Sequence, residues 1–195
     1  MVRKEDGGLN PLSMAELGVL DWIQLHFHSD FFDLAMPFFT SLGDNGFLWI
    51  LLGVLLLIFA RKERSTGGQL LLSLIFSFVI CNLILKNAVD RIRPCDLNTA
   101  VALLVQRPPD PSFPSGHTSA SFAAVTVLFR NRWKGRWVAL VLAILIAFSR
   151  LYLYVHFPTD VLGGLLTGLL SGWLAVILWR KWESSRRLPP PKAMG

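Results

Sequence analysis

Long apolar blocks dominate this sequence and restrict it to a fold that lipid surrounds. The last block carries no charged residue across its 19 positions, and 53% of the whole chain is hydrophobic. About 20 helical residues cross the hydrocarbon core of a bilayer, and flanking residues can lengthen the shorter blocks. The pattern therefore predicts an all-α, polytopic membrane helix bundle with about five transmembrane helices. The five blocks are residues 47–60, 69–85, 115–129, 137–155 and 161–179.

The segment before the first block is too polar to span a membrane and too apolar to be fully solvated. Residues 13–41 combine aromatic and aliphatic side chains with Glu16, Asp21, His26, His28, Asp30 and Asp33. This composition predicts one or two N-terminal interfacial helices over one end of the bundle, and a sixth, poorly formed span is the alternative. We expect one membrane-embedded domain, residues 1–195, with interfacial helices at 1–45, a transmembrane core at 46–182 and a cytoplasmic tail at 183–195.

The placement of basic residues predicts the orientation of the spans. With five spans, twelve of the nineteen Lys and Arg residues fall on one face, accompanied only by Glu63 and Glu183. By the positive-inside rule this face, and the C-terminus with it, is cytoplasmic. The charges lie in short loops between spans, so they do not indicate nucleic-acid binding. The twelve are Arg61, Lys62, Arg64, Arg130, Arg132, Lys134, Arg136, Arg180, Lys181, Arg186, Arg187 and Lys192.

Three polar stretches fall at the opposite, outer ends of the predicted spans. They are Lys86 to Pro94, Pro114 to His117, and Ser149 to Asp160. Charged groups in a membrane-embedded sequence are costly and mark functional sites, so we expect the three stretches to converge on one site. The longest outer connection, Cys95 to Phe113, is expected to be an irregular lid or rim of that site.

The first stretch suits an anion. Lys86 and Arg93 are seven residues apart, about two helical turns, which predicts that both project from one face of a helix that Pro94 ends. An ion pair with Asp90 is the structural alternative for either cation. We expect Arg91 to face elsewhere, toward lipid headgroups or Asp90.

The second stretch predicts a helix beginning that faces the same anion. The first amides of a helix lack intrahelical acceptors and lie at the positive end of its dipole, and Gly116 allows close approach to them. His117 is then within reach of a leaving oxygen as a general acid. On its own, this histidine would be interpreted as an ordinary buried one.

The third stretch pairs a histidine with a carboxylate. His156 and Asp160 are four residues apart, and Pro158 prevents a continuous helix through them. We expect Asp160, in the first turn of the last span, to accept the ring N–H of His156 and so fix a nucleophile or base. The planar guanidinium of Arg150 suits phosphate oxygens.

A small-residue pattern predicts close helix packing. Gly164, Gly168 and Gly172 repeat every four residues along the last span. Such a stripe lets another helix approach. We favour packing within the bundle, with homodimerisation as the alternative, so the chain is expected to be a monomer or a homodimer.

These three stretches resemble the signatures of the type 2 phosphatidic acid phosphatase superfamily, whose site the vanadium haloperoxidases share. Every signature position between residues 86 and 160 is filled in order. Residues 15–50, which include Gly43-Asp44, also resemble the beginning of small bacterial members. One departure is Tyr154, where many relatives have Gly, and it is expected to narrow the pocket.

The resemblance implies a chemistry and a role for each residue. His156 would be the nucleophile that forms a phosphohistidine, Asp160 would orient it, and His117 would protonate the leaving group. The phosphoryl oxygens would be held by Lys86, Arg93, Arg150, Ser115 and the amide of Gly116. No metal or other cofactor is implied.

The expected activity is therefore that of a lipid phosphate phosphatase at the outer face of a bacterial cytoplasmic membrane. Undecaprenyl pyrophosphate is the favoured substrate, with phosphatidylglycerol phosphate or phosphatidate as the alternative. A haloperoxidase is disfavoured by the membrane spans. A non-catalytic lipid-binding or transport relative would be expected to lose His117 or His156, and the chain has both.

Overall fold

The computed structural model describes residues 11–187, and all the regular structure in that range is helical. The helices are α1 (Pro11–Phe27), α2 (Asp30–Leu42), α3 (Phe47–Ile58), α4 (Arg64–Ser77), α5 (Lys86–Val89), α6 (Pro94–Leu97), α7 (Gly116–Arg130), α8 (Arg136–Tyr152) and α9 (Pro158–Arg187). A π-helix, Phe78–Leu85, joins α4 to α5, and short 3₁₀ turns at Asp44–Gly46 and Arg61–Glu63 flank α3. The predicted all-α class is confirmed.

Two helical segments are long and apolar enough to cross a bilayer unaided. They are Arg61–Leu97 and Pro158–Arg186, and a third is obtained if the pair Asp30–Leu42 and Asp44–Ile58, bent by 45°, is taken as one span. Helices α7 and α8 contain 15 and 17 residues, fewer than the roughly 20 residues that cross the hydrocarbon core of a bilayer. The apolar blocks are thus the helices of the bundle, while the count of about five spans stays a prediction.

The core of the bundle lies between α4, α7 and α9, with α3 packed on α4 and α8 packed on α7. Trp49, Leu70, Leu128 and Ile146 are almost completely buried there. Large apolar side chains on the outward faces of the helices remain exposed, among them Phe47, Val141 and Leu166. An apolar exterior around an apolar core is what a lipid solvent favours, because lipid imposes no penalty on exposed Leu and Phe.

Helices α1 and α2 form the N-terminal part and pack against α8. Gln24 of α1 donates to the carbonyl of Tyr152, and the Tyr152 hydroxyl donates to Asp33 of α2. One or two N-terminal helices were predicted, and the structure has two. Their interfacial position in a membrane stays a prediction, and part of the predicted tail, residues 188–195, lies outside the described residues.

The basic clusters meet at one end of the bundle. Arg180 of α9 donates to the carbonyl of Arg130 at the end of α7, at 3.3 Å. Asn131 donates to Gln69 of α4, at 2.7 Å. The three polar stretches lie where α5 ends and where α7 and α9 begin, which is the opposite end. The structure thus separates a basic end from the end that carries the polar stretches.

The glycine stripe lets α9 lie directly on α7. A Cβ atom at Gly164 would be 2.6 Å from the carbonyl oxygen of Ser115, and one at Gly168 would be 2.5 Å from that of Ser119. At Gly172 the carbonyl oxygen of Ala123 would be 2.7 Å away. All three obstacles are backbone atoms of α7 or of Ser115 just before it, so the stripe serves packing within the bundle, as favoured from the sequence.

We predict that Gly168→Ala destabilises the fold, because the added methyl group collides with a backbone carbonyl that cannot move independently. Overpacking of this kind costs about 1–3 kcal/mol. The midpoint of thermal unfolding in detergent should fall.

The matched control for this substitution is Gly18→Ala. Gly18 lies within α1 and a Cβ atom there would meet nothing within 4 Å. Alanine is the better helix former by about 1 kcal/mol, so the control should unfold at the same or a higher temperature. Equal midpoints for the two variants would contradict the close α7–α9 contact.

Candidate active site

One cavity of about 1340 Å³ collects residues of all three polar stretches. Most of the predicted site residues line it: Lys86, Arg93, Gly116, His117, Arg150 and His156. Asp160 lies behind His156 and is completely buried. Of the eight predicted residues only Ser115 and Asp160 do not line the cavity. The expected convergence of the three stretches is present in the structure.

The backbone between Lys86 and Arg93 differs from the sequence prediction. The helix ends at Val89, and Asp90 follows with a φ of +45°, in the left-handed region. Arg93 is extended and precedes α6, whose first residue is Pro94. The prediction that both cations project from one continuous helix, ended by Pro94, is wrong, since Pro94 begins a helix here. A proline is well suited to that position, where no amide donor is needed.

Lys86 and Arg93 nevertheless meet, because both bind the carboxylate of Asp110. Lys86 donates to one oxygen, and Arg93 Nη2 donates to the other at 2.8 Å. Arg93 Nε also donates to the main-chain carbonyl of Asp110 at 2.8 Å. The partner of the two cations is therefore Asp110 in the Cys95–Phe113 connection and not Asp90, the alternative raised from the sequence.

The nucleophile candidate has a defined tautomer. His156 Nε2 lies 3.2 Å from Arg93 Nη1, which also donates to the carbonyl of Val155 at 2.7 Å. A guanidinium nitrogen can only donate, so Nε2 must carry the lone pair and Nδ1 the proton. Burial and the nearby charge of Arg93 lower the pKa of His156 well below its ordinary value of 6.5. His156 is thus neutral at neutral pH, with an unprotonated nitrogen beside the cations.

Asp160 supports His156 from the opposite side of the ring. Its Oδ2 atom is 3.6 Å from His156 Nδ1, and it accepts from the hydroxyl of Ser112 and, at 2.8 Å, from the amide of Phe157. Ser112 is itself 3.5 Å from Nδ1. The expected direct hydrogen bond is therefore replaced by a longer contact, because Ser112 shares the same carboxylate oxygen.

The second histidine lies beside an acidic residue from another part of the chain. His117 Nε2 is 2.9 Å from Asp44 Oδ1, which belongs to the turn between α2 and α3. The carboxylate can accept a ring N–H and so fix the orientation of the imidazole in the cavity. The arrangement suits a general acid.

The side chain of Ser115 caps the beginning of α7. The hydroxyl of Ser115 accepts from the amide of Thr118 at 3.4 Å and from the Thr118 hydroxyl at 3.0 Å. Gly116, the next residue, lines the cavity. Ser115 is thus seen as the N-cap of the helix, and its predicted role as a phosphate ligand stays a prediction.

Arg150 contributes the third cation from the last turn of α8. Its side chain is 5% exposed, and Nη1 donates to the hydroxyl of Thr40 in α2. Among the described residues, Arg150 Nε is the one buried side-chain nitrogen without a hydrogen-bond partner. A buried guanidinium whose N–H groups are only partly hydrogen-bonded is well suited to bind an anion.

Tyr154 does not narrow the cavity as expected. It adopts a φ of +60°, the left-handed region in which glycine is favoured, and it is completely buried. Its hydroxyl donates to Asp21 of α1 at 2.7 Å, and its ring packs with Leu20 and Phe157. The backbone at this position explains a preference for glycine, and here α1 accommodates the larger residue outside the site.

Comparisons with known proteins agree with this geometry. Residues 66–184 match the family model described as PAP2 superfamily. The chain belongs to the PAP2 superfamily. The match includes all eight predicted site residues.

Individual relatives of this PAP2 chain include phosphatases. It is 35% identical over 143 residues to an undecaprenyl-diphosphatase of Sulfolobus acidocaldarius, covering 72% of this chain and 68% of the relative. It is 36% identical over 151 residues to phosphatidylglycerophosphatase B of Bacillus subtilis, covering 72% and 71%. The crystal structure of Aquifex aeolicus LpxE superposes with a TM-score of 0.71 at 30% identity, covering 91% of this chain and 99% of that one. The expected phosphatase class and membrane fold are thereby confirmed.

Several residues that complete the PAP2 site were not predicted. Asp44, Asp110 and Ser112 reach it from turns or irregular segments, where no periodicity indicates which side chain faces inward. Arg91 was predicted to contact lipid headgroups or Asp90, and this prediction is wrong. Its guanidinium donates to Asp160 at 2.7 Å and to Glu16 of α1.

Asp110 binds two of the cations that are predicted to hold the phosphoryl group. Burial alone would raise its pKa, but hydrogen bonds and charges from Lys86 and Arg93 outweigh burial and lower the pKa from 3.8 to about 2. Asp110 is therefore an anion at neutral pH, and we expect it to compete with phosphate for the same two cations.

We predict that Asp110→Asn strengthens inhibition of turnover by inorganic phosphate. The inhibition constant should fall about fivefold, the effect of losing one half-exposed ion-pair partner. Asp96→Asn is the control, because Asp96 lies at the beginning of the same connection but pairs with Arg107 and not with Lys86 or Arg93. An unchanged or higher inhibition constant in Asp110→Asn would contradict the competition.

Proposed function

We propose that this PAP2 chain removes a terminal phosphate from a membrane lipid phosphate or pyrophosphate through a phosphohistidine on His156. The observation that carries the proposal is the environment of His156 Nε2. This unprotonated nitrogen faces a cavity that three buried cations line, and a second histidine paired with a carboxylate lines the same cavity.

In the first half of the proposed reaction, Lys86, Arg93 and Arg150 hold the phosphoryl oxygens and offset the charge that develops on them. Asp110 releases the two cations as the phosphate enters. His156 Nε2 attacks phosphorus, the P–N bond forms, and the bond from phosphorus to the leaving oxygen breaks. His117 donates a proton to that oxygen.

In the second half, a water molecule attacks the phosphohistidine. His117, now neutral, accepts a proton from the water as the P–O bond forms and the P–N bond breaks. Inorganic phosphate leaves and His156 regains its lone pair. Asp160 stabilises the positive charge that the His156 ring carries between the two halves, since its carboxylate lies beside Nδ1.

The cavity also supports a lipid as the substrate. Besides the charged residues it is lined by apolar side chains of α3, α4 and the π-helix: Ile50, Leu71, Leu74, Ile75 and Phe78. A headgroup phosphate and part of an apolar chain can therefore occupy one continuous space. A water-soluble phosphate ester would leave this apolar wall uncovered.

Among lipid phosphates, undecaprenyl pyrophosphate is the proposed substrate. The support is the similarity to the undecaprenyl-diphosphatase of Sulfolobus acidocaldarius. The phosphatidylglycerophosphatase of Bacillus subtilis supports the alternative, phosphatidylglycerol phosphate, with phosphatidate beside it. A non-catalytic lipid-binding or transport role is the alternative class.

We further propose that the site faces the outer side of a bacterial cytoplasmic membrane. The support is the separation of the two ends of the bundle, with the basic loops at the end away from the cavity. Basic loops are favoured on the cytoplasmic side.

The first prediction of this proposal concerns the nucleophile. His156→Ala should lower turnover at least about 10³-fold, because the variant lacks the nitrogen that attacks phosphorus in the proposed mechanism. Purified protein in detergent is assayed for phosphate release, and thermal unfolding checks that the variant is folded. His26→Ala is the matched control, since His26 lies in α1 against Trp22, outside the cavity. Phosphate release by His156→Ala at the wild-type rate would refute the assignment.

The second prediction concerns substrate and metal. Phosphate release in EDTA from undecaprenyl pyrophosphate, phosphatidylglycerol phosphate and phosphatidate should be highest for the pyrophosphate and unaffected by the chelator, because protein cations neutralise the phosphoryl oxygens. Preference for either phospholipid would replace the substrate assignment. Activity that required Mg²⁺ would contradict the proposed charge neutralisation, and no activity on any of the three would favour the non-catalytic alternative.

A further inference from the structure

Arg91 lies where three segments of the chain meet around Asp160. The left-handed turn at Asp90 directs the chain back toward the site, and the carbonyl of Arg91 accepts from the amide of Ser112 at 2.8 Å. The side chain is 18% exposed, and its guanidinium lies 3.9 Å from the centre of the Phe157 ring. Arg91 therefore occupies a fixed position against the turn that carries His156.

The guanidinium of Arg91 binds two carboxylates through different nitrogens. Nη1 donates to Asp160 Oδ1 and to the Thr159 hydroxyl, both at 2.7 Å. Nη2 donates to Glu16 Oε2 at 2.5 Å and lies 3.5 Å from the hydroxyl of Ser13. A planar guanidinium holds such a bridge in one geometry, which a lysine ammonium cannot reproduce.

This bridge determines which oxygen of Asp160 faces the nucleophile. Oδ1 is taken by Arg91, while Oδ2 accepts from Ser112 and the Phe157 amide and lies 3.6 Å from His156 Nδ1. The two oxygens thus have separate partners on opposite sides. Without Arg91, Oδ1 would be a buried anionic oxygen lacking its charged partner, which is unfavourable. The carboxylate would then be expected to rotate toward other hydrogen-bond donors.

Glu16 completes the arrangement from α1. It is 5% exposed, and its Oε1 accepts from the amide of Thr159 at 2.8 Å and from the Thr159 hydroxyl at 2.6 Å. Its Oε2 accepts from Arg91. The first turn of α9, the guanidinium and α1 are therefore held as one unit, although neither Arg91 nor Glu16 lines the cavity.

We propose that Arg91 and Glu16 are positioning residues for phosphoryl transfer. They fix the rotation of the Asp160 carboxylate, and the carboxylate in turn fixes the orientation of His156. Catalysis therefore depends on the position of α1 against the first turn of α9. The inference rests on the proposed phosphohistidine mechanism. It assigns to the N-terminal helix a part in catalysis beyond contact with the membrane.

The test uses the full chain in detergent, with undecaprenyl pyrophosphate as substrate. Arg91→Gln should lower kcat about 10²-fold, the cost expected when a catalytic group is displaced by about 1 Å. Glu16→Gln, which keeps the shape of the side chain, should lower kcat about tenfold by the same mechanism. KM should change less than about twofold in both, because the phosphate ligands are untouched. Arg91→Lys, which keeps the charge, should recover part of the loss.

Two further measurements separate positioning from a general loss of structure. Labelled substrate, mixed with enzyme in a single turnover and quenched in base, reports the rate of phosphohistidine formation, which should slow in proportion to kcat. Arg180→Gln and Glu183→Gln are the matched controls, because both residues lie near the end of α9 at the basic end of the bundle, and both should match wild type.

Each outcome distinguishes this inference from the function on which it rests. A wild-type enzyme that releases phosphate without forming phosphohistidine would refute the proposed mechanism. If the wild-type enzyme forms phosphohistidine and His156→Ala does not, the proposed mechanism stands. In that case, an unchanged kcat in both Arg91→Gln and Glu16→Gln would overturn the positioning role but not the mechanism. A raised KM at unchanged kcat would overturn it as well. Should Arg91→Gln fail to fold, Glu16→Gln and Arg91→Lys carry the same test.

Discussion

The structure depends on the cost of burying three cations at one end of an apolar helix bundle. Lys86, Arg93 and Arg150 are 7%, 2% and 5% exposed. A buried charge without a counter-charge is strongly unfavourable, and here Asp110 offsets two of the three. Within residues 11–187, Arg150 Nη1 donates to the hydroxyl of Thr40, and Nε has no hydrogen-bond partner. The cations are therefore only partly neutralised by the protein itself, and a phosphate is the ligand that we propose to complete their neutralisation.

The site is assembled by helix beginnings more than by helix faces. The amide of Ser115, just before α7, donates to the carbonyl of Asp160 in the first turn of α9 at 3.0 Å. This bond connects the second and third polar stretches directly, and the glycine stripe of α9 makes the approach possible. Two helices thus begin side by side, behind His156 and beside Gly116 of the cavity wall. The positive ends of their dipoles add to the potential of the three cations.

Much of this arrangement was predictable from the sequence, because the apolar blocks and the charged stretches obey strong constraints. The helices α3, α7, α8 and α9 follow the blocks closely, and the cations and histidines meet as expected. The path from Lys86 to Arg93 was not predictable, since the helix ends on a left-handed Asp90 where no Gly or Pro indicates a break. The hydrogen-bond partner of Arg91 was missed for the same reason, because the altered path turns its side chain inward.

The N-terminal segment shows most clearly what composition alone leaves open. Its carboxylates made residues 13–41 too polar to span, which favoured an interfacial position. In the structure three of them bind the segment that carries His156: Glu16 binds Thr159, Asp21 binds Tyr154 and Asp33 binds Tyr152. Tyr154 adopts a left-handed backbone conformation that is unfavourable for residues other than glycine. The hydrogen bond from its hydroxyl to Asp21 offsets part of that strain. The polar side chains of α1 and α2 thus hold the turn from Tyr152 to Asp160 in place, so the N-terminal helices help to determine the shape of the site.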